Sequence, residues 1–507
     1  MALAQVNGVV LSGVQGALVR VEVEVATGLP SVGVVGLPDA SVSESRWRAR
    51  SAIGAIGAAW PNQRVTINLS PAEVRKIGAG LDLPIAVGVL LAHGQLPGVD
   101  VSGTAFIGEL GLDGRLRRTR GALAGALAAR SNGLARVVVP TECAAEVARV
   151  FGVGVVLARD LAQVVAVLTG RDPGDVPDPD ESETAGEPVM ADLADVRGHD
   201  HARFALEVAA AGRHHVAMVG PPGVGKTMLA ERLPDLLPDL TNDDALEVAA
   251  IHAIAGGRRP AGVFPRPPFE APHHSASSAA VLGSVHGSRV APGAVTLAHC
   301  GLLFLDEAPE FARPVLEGLR QPLESGRLRL SRSGWSGSLP ARFQLVVAAN
   351  PCPCGLRIGT GRECSCPPAA LRRYAARLSG PLLDRIDVRL VVTRPTGAEL
   401  ASGREQESSS AVRERVRVAR ERACRRFSGL PWQANADVPA GEWRRRWPLP
   451  PPAADLLRDA ELRGGNLRGP DRVMRMAWTL ADLAGHPAPD RQDVARALSL
   501  RGAEVLP

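Results

Sequence analysis

Hydrophobic and polar positions change rhythm twice along this chain of 507 residues. Near the N-terminus the period is two. Val19, Val21, Val23 and Val25 alternate with Arg20, Glu22 and Glu24, the pattern of a strand with one buried face. Residues 64–69, 137–139 and 153–157 carry further strand signals, and 122–130 predict a helix ended by Asn132-Gly133. Residues 1–170 therefore read as one α/β unit. In the middle of the chain the apolar runs are short and unbroken: Val216 to Val219, Leu302 to Leu305 and Phe343 to Ala349. Such runs suit strands covered on both faces, as in a parallel sheet. A helix over 202–211 precedes the first of them. Beyond residue 396 the period is helical. Val412, Val416, Ala419, Ala423 and Phe427 share one stripe, with seven arginines on the other faces.

Residues 171–190 break both patterns. They hold seven acids and four prolines, and Arg171 is their only base. Low apolar content and like-charge repulsion predict an extended, disordered linker. The expected organisation is thus an α/β domain at 1–170, a linker at 171–190, a second α/β domain at 191–395 and a helical region at 396–507.

Composition narrows the class. A hydrophobic fraction of 45% is ordinary for a globular protein. The longest apolar run, Pro84 to Ala92, falls far short of the roughly 20 residues of a membrane span. Residues 1–10 lack the basic start of a secretory signal. Seven cysteines in so long a chain do not make a disulfide scaffold, so a reducing cytoplasm is expected. A net charge of +5 and a pI near 9.0 permit a polyanionic partner without demanding one.

The chemistry centres on Gly220-Pro221-Pro222-Gly223-Val224-Gly225-Lys226-Thr227, which fits the phosphate-loop pattern G-x-x-x-x-G-K-[ST]. It stands between a short apolar strand and a helix start, as the motif requires. Its glycines let backbone N–H groups converge on phosphate oxygens at a helix N-terminus. Lys226 would neutralise the β- and γ-phosphates of ATP, and the Thr227 hydroxyl would ligate Mg²⁺. The chain has 58 basic residues but only two lysines, Lys76 and Lys226, and one of them fills the slot that demands lysine. About 80 residues on, the run Leu302 to Leu305 ends in Asp306-Glu307. Asp306 would hold the Mg²⁺ shell and Glu307 would polarise the attacking water.

Several stretches of the first domain carry a family resemblance. Gly28-Leu29-Pro30, Val35-Gly36-Leu37-Pro38-Asp39, Ser43-Glu44-Ser45-Arg46, Asn68-Leu69-Ser70-Pro71-Ala72 and Leu81-Asp82-Leu83-Pro84-Ile85-Ala86 resemble the ComM/YifB family of Mg-chelatase-like AAA+ proteins. The resemblance implies a Lon-protease-like (ribosomal S5-like) N-terminal α/β domain, an AAA+ core with a parallel sheet and a C-terminal helical lid. Lon-type proteolysis needs a serine nucleophile and a downstream lysine. The matching stretch here is Pro84-Ile85-Ala86, and no lysine follows until Lys226, so proteolysis is not expected.

The same resemblance assigns roles further along. Asn350, at the tip of the strand ending at Ala349, matches the position that senses the γ-phosphate. Arg385, in Leu378 to Asp387, matches an arginine finger acting on a neighbouring subunit's ATP, which implies a ring; otherwise it pairs with Asp384 or Asp387. A planar, always-ionised guanidinium suits the diffuse charge of a transferring phosphoryl group. Arg468 matches the lid sensor, with Arg472 as the fallback. Pro268 to Ser275, with His273-His274, looks like the insertion of Mg-chelatase and MCM-type proteins, where a packing or pore-loop role is expected over a metal site. Residues 326–338 look like a hairpin that presents Arg327, Arg329 and Arg332 on a strand, with Trp335 at its tip. That suits either a DNA backbone with unpaired bases or a plain solvated face. Cys352, Cys354, Cys364 and Cys366 could close a tetrahedral Zn²⁺ site, although C-x-C spacing is tighter than usual.

Three functions are compatible with these features. The family resemblance implies a hexameric helicase that drives branch migration of single-stranded or branched DNA during natural transformation. A chelatase motor that drives metal insertion through partner subunits is the alternative. A binding module without enzymatic activity fits poorly with intact phosphate-loop and acidic motifs.

Overall fold

The computed structural model describes residues 2–72, 76, 78–174, 191–256, 265–286, 289–332, 335–357, 363–378, 380–397, 399, 406–464 and 469–501. Most of the 171–190 linker and all of Arg468 lie outside them. Among the described residues, no helix is long and apolar enough to cross a membrane.

The alternating valines near the N-terminus form the strand Gln15–Ala26, in which Val19, Val21, Val23 and Val25 are all buried. Burying each contributes roughly 1.5–3 kcal/mol. This strand is the third of a seven-stranded mixed sheet. The order runs Ser31–Val35, Arg64–Ser70, Gln15–Ala26, Ala2–Ser12, Thr104–Phe106, Arg136–Pro140, Gly154–Ala158. Helices Ala40–Ala55 and Asp82–Ala92 build the core on one face. Helix Ala122–Ser131 covers the other. Asp82–Ala92 is apolar almost all round and nearly every residue in it is buried, as expected of a helix lying inside a core rather than on its edge. Its polar start is neutralised by Arg48, whose Nε and Nη2 donate to the two Asp82 carboxylate oxygens at 2.6 and 3.0 Å. Pro84, Ile85 and Ala86, where a proteolytic serine would be sought, lie in this buried helix.

The second α/β unit is a five-stranded sheet ordered Phe269–Glu270, Leu302–Leu305, Gln344–Ala349, Val216–Val219, Val388–Val391. Every pairing is parallel. Its three inner apolar runs are buried residue by residue. The order places Gln344–Ala349 between the strand that feeds the phosphate loop and the strand that ends in the two acids. All three therefore discharge their C-terminal ends at one edge, where ligands of open parallel sheets bind.

The two units share a core. Helix Asn242–Ala255 turns Leu246, Ala250, Ile251 and Ile254 into the same apolar cluster as Ala122, Ala126 and Ala129. Arg130 pairs with Asp243 at 2.9 Å, and Arg120 donates to the Ile254 carbonyl at 2.7 Å.

The C-terminal region is helical: Ser409–Arg426, Ala440–Arg446, Pro451–Gly464, Gly469–Ala484 and Arg491–Arg501. The predicted stripe Val412, Val416, Ala419, Ala423 and Phe427 is buried. Aromatic residues are scarce in this chain, yet four of its seven tryptophans gather here: Trp432, Trp443 and Trp447 pack around Phe427, and Trp478 stacks on Trp443. Helix Gly469–Ala484 locks the region to the sheet. Arg472 of this helix bonds Asp387 at 2.6 Å, just before the strand Val388–Val391.

Candidate active site

The phosphate loop leaves Val219 and closes on the helix Lys226–Arg232. Its first glycine has no room for a side chain: a Cβ on Gly220 would stand 2.2 Å from the Val392 carbonyl oxygen. Gly223 and Gly225 take φ of 75° and 93°, left-handed values that glycine adopts without strain. Val224 is buried and anchors the loop from beneath, while Pro222, Gly223 and Thr227 are exposed towards the cleft.

Four of the expected residues meet at this edge. The Lys226 ammonium donates to the Gly220 carbonyl at 2.7 Å, the Pro221 carbonyl at 2.9 Å and Asn350 Oδ1 at 3.1 Å. Burial pushes the Lys226 ammonium below its ordinary pKa, and the Asp306 and Glu307 charges oppose that shift. The Thr227 hydroxyl donates to Asp306 Oδ2 at 2.6 Å. Two hard oxygen donors in contact at a strand end are the donor chemistry that Mg²⁺ takes.

Glu307 follows with φ 50° and ψ 43°, left-handed for a residue with a side chain. Such a conformation costs of order 1 kcal/mol and is concentrated at functional sites. It is held by the Glu310 N–H, which donates to the Glu307 carbonyl at 2.7 Å. The Glu307 carboxylate meets His274, with Nδ1 3.1 Å from Oε2. His274 itself rests on His273, ring centroids 4.1 Å apart. This histidine pair stands just beyond the edge strand Phe269–Glu270, so the insertion enters the site directly.

The remaining expected residues fall elsewhere. Arg385 is buried and bonds Glu324 and the Pro381 carbonyl within the chain. Neither Asp384 nor Asp387 is its partner in these contacts. Asp387 is taken instead by Arg472, by Arg475 at 3.9 Å and by His214 at 2.9 Å. Burial alone would raise the Asp387 carboxyl, but the Arg475 and Arg472 charges and the His214 hydrogen bond hold it well below the usual carboxylate range. The hairpin forms as strands Arg327–Arg332 and Trp335–Pro340. Leu328 is buried, whereas Arg327 and Arg329 are exposed.

The four cysteines lie beside the phosphate loop. Cys352 Sγ is 3.3 Å from Cys354 Sγ, and Cys364 Sγ is 3.7 Å from both. All four sulfurs fall within 4.8 Å of one another. Thiolates about 2.3 Å from a tetrahedral Zn²⁺ stand about 3.8 Å apart, so the spacing suits that ion. It is far too long for disulfides, which need about 2.05 Å.

Three relationships at the site have no signal in the sequence. One is the pairing of His274 with Glu307, although the His-His dipeptide itself is conspicuous. The second is Gly355, whose φ is 79° and whose Cβ position would stand 2.7 Å from Pro222 Cδ. The third is Tyr374, the single tyrosine of the chain, which lies close to the Asn350 backbone.

Comparison with known proteins places the whole chain. Residues 192–400 match the family described as magnesium chelatase, subunit ChlI. Residues 21–143 match subunit ChlI of Mg-chelatase, and 406–501 its C-terminal part. An uncharacterized protein of Mycobacterium tuberculosis is 47% identical over 99% of both chains. The uncharacterized protein YifB of Salmonella typhimurium is 40% identical over 100% of this chain and 98% of its own. The competence protein ComM of Haemophilus influenzae is 38% identical over 99% of this chain and 98% of its own. A stretch of 68 residues is also 44% identical to part of an archaeal Lon protease of Pyrococcus abyssi.

Proposed function

This chain belongs to the ComM/YifB family of Mg-chelatase-like AAA+ proteins, and from that premise we propose that it is an ATP-driven ring motor acting on DNA. Family membership supports an ATPase that uses ATP and Mg²⁺. The observation that carries the site assignment is the meeting of Lys226 with Asn350 and of Thr227 with Asp306 at one sheet edge.

In this reading the loop amides from Gly220 to Thr227 wrap the β-phosphate at the helix N-terminus. Lys226 exchanges its carbonyl partners for β- and γ-phosphate oxygens. Thr227 and Asp306 hold Mg²⁺, which supplies charge neutralisation at the phosphates when bound. Asn350, already in contact with Lys226, orients the γ-phosphate, and Glu307 polarises the attacking water. Arg385 reaches the ATP of the next subunit once it leaves Glu324. Arg468, or Arg472 in its place, reports nucleotide state to the lid. The oligomer is a homo-hexamer in the cytoplasm. The N-terminal domain is Lon-like in fold and not proteolytic, because Pro84-Ile85-Ala86 offers no serine nucleophile and no lysine follows until Lys226.

The DNA assignment rests on kinship with a protein whose name is competence protein ComM and on the exposed Arg327 and Arg329 of the hairpin. Single-stranded or branched DNA is the substrate, and the work done is branch migration of recombination intermediates in natural transformation. Cys352, Cys354, Cys364 and Cys366 hold a structural Zn²⁺. A branch-migration assay with and without ATP tests the DNA reading. Wild type should move a branched junction only with ATP, and Lys226→Ala should not. A wild-type protein whose ATP turnover ignores DNA overturns it.

The second reading is a chelatase-type motor that remodels a protein partner, favoured by the matches to magnesium chelatase subunit ChlI along most of the chain. It predicts ATP turnover stimulated by a protein partner and indifferent to DNA.

A further inference from the structure

The cysteine cluster occupies a position that a plain structural knuckle would not need. Its first half begins one residue after Pro351, which itself follows Asn350. Cys352 is buried, and a turn closes behind it as the Gly355 N–H donates to the Cys352 carbonyl at 3.0 Å. That turn presses Gly355 against the phosphate loop, so closely that a Cβ would sit 2.7 Å from Pro222 Cδ and 3.0 Å from Cγ. Its second half, Cys364 and Cys366, leads into the helix Pro368–Ala375. Tyr374 of that helix is buried and lies close to the Asn350 backbone. The four sulfurs therefore sit where three parts of the site meet: the loop face at Pro222, the Asn350 tip and the helix that carries Tyr374.

We infer that a Zn²⁺ held by Cys352, Cys354, Cys364 and Cys366 clamps the Pro222 side of the phosphate loop against Asn350, so that ATP binding depends on the metal. This rests on the zinc reading proposed above and adds to it a control over the nucleotide site. The physical basis is preorganisation. The exposed limb of the loop, Pro222 and Gly223, has few contacts of its own, and its position fixes where the loop amides point. Four thiolates drawn to one cation restrain the 352–355 turn from both sides. Without the ion the thiols no longer share a centre, the Gly355 wall is free to retreat, and the loop samples geometries that do not fit a triphosphate. Outer-shell partners of metal ligands are worth about 10- to 100-fold in metal affinity or activity, and the clamp is expected to act on the lower end of that scale.

The test uses the full chain, with zinc measured by mass spectrometry and ATP affinity by titration of a fluorescent ATP analogue. Wild type should carry stoichiometric zinc. Cys364→Ser/Cys366→Ser should lose it and bind the analogue about tenfold more weakly. Gly355→Ala keeps all four thiols but puts a methyl into the Pro222 contact at a left-handed position. It should retain zinc and still lose about tenfold in affinity. Zinc-free wild type that binds ATP tightly would end both the metal reading and the clamp. Zinc-loaded wild type whose Gly355→Ala variant binds ATP unchanged would leave the metal and overturn the clamp, even if the double serine variant fails to fold.

Discussion

His274 Nδ1 stands 3.1 Å from Glu307 Oε2, joining the insertion after the edge strand to the proposed general base. Both side chains keep solvent contact, at 34% and 51% exposure, so the pair adds little to stability. Its effect is on reach. A carboxylate oxygen that is bonded to histidine is not bonded to the attacking water. His274→Ala should raise DNA-independent turnover about threefold while leaving ATP affinity unchanged, because a water-positioning contact is realised only in the reaction step. Steady-state ATPase assays with a parallel binding titration decide it. Lower turnover in the variant would mean that His274 aligns Glu307 rather than restrains it.

Lys226 and Asn350 share one hydrogen bond at 3.1 Å, and both are proposed to contact the γ-phosphate. Asn350→Ala should lower kcat by about 100-fold, in the range seen when one preorganised donor to developing charge is lost. The ATP dissociation constant should shift far less. Lys226→Ala should abolish turnover and weaken binding. Equal kinetic and binding losses in Asn350→Ala would make Asn350 a ground-state contact.

Arg385 is occupied within its own chain by Glu324 and the Pro381 carbonyl. If it acts on a neighbour, Arg385→Ala should lower kcat about 1,000-fold without changing ATP affinity. Mixing Arg385→Ala with Lys226→Ala protein should restore part of the turnover, since one supplies the loop and the other the guanidinium. An absence of restoration in mixed rings of demonstrated hexamers would confine Arg385 to its internal ion pair.

His215 supplies a pH signature. Its Nδ1 accepts from the Leu345 N–H at 3.0 Å, a bond that requires the neutral ring. Burial, helped by Arg472, Arg475 and His214 and opposed by Asp387, pushes this imidazole from 6.5 down to about 4. The unfolded chain binds the proton first as pH falls, so the stabilisation is complete above about pH 6.5 and is lost between there and about pH 4. Thermal melts should fall by about 3 °C from pH 7 to pH 5. His215→Asn, which keeps an acceptor and does not titrate, should shrink that difference. An unchanged difference would place the acid sensitivity elsewhere.

The strands of the ATP-site sheet were readable from their apolar runs because full burial leaves an unbroken pattern. Val216–Val219 and Leu302–Leu305 span the marked residues, and Gln344–Ala349 starts one residue late. The N-terminal valines were readable for the complementary reason, that one polar face imposes a period of two. Motif spacing indicated that Lys226, Thr227 and Asp306 belong together, since the loop and the strand end have fixed chemistry. Two of the contacts that were not readable are made by irregular backbone. Nothing local in Gly355 announces Pro222, and nothing in His274 announces Glu307, because both depend on how long insertions fold back across the sheet edge. The partner of Arg385 escaped for a similar reason. Glu324 is 61 residues away, whereas the nearby Asp384 and Asp387 drew attention by proximity alone.

Helix Asn242–Ala255 packs into a core that is built largely by the N-terminal unit. Dividing the chain at the acidic stretch would therefore not yield two self-sufficient halves. A fragment starting at residue 191 would carry Leu246, Ala250, Ile251 and Ile254 as a bare greasy ridge, and would clump or recruit whatever covers it. Whatever tilts the N-terminal sheet also leans on this helix, so the first 170 residues are packed against the second unit rather than merely tethered to it.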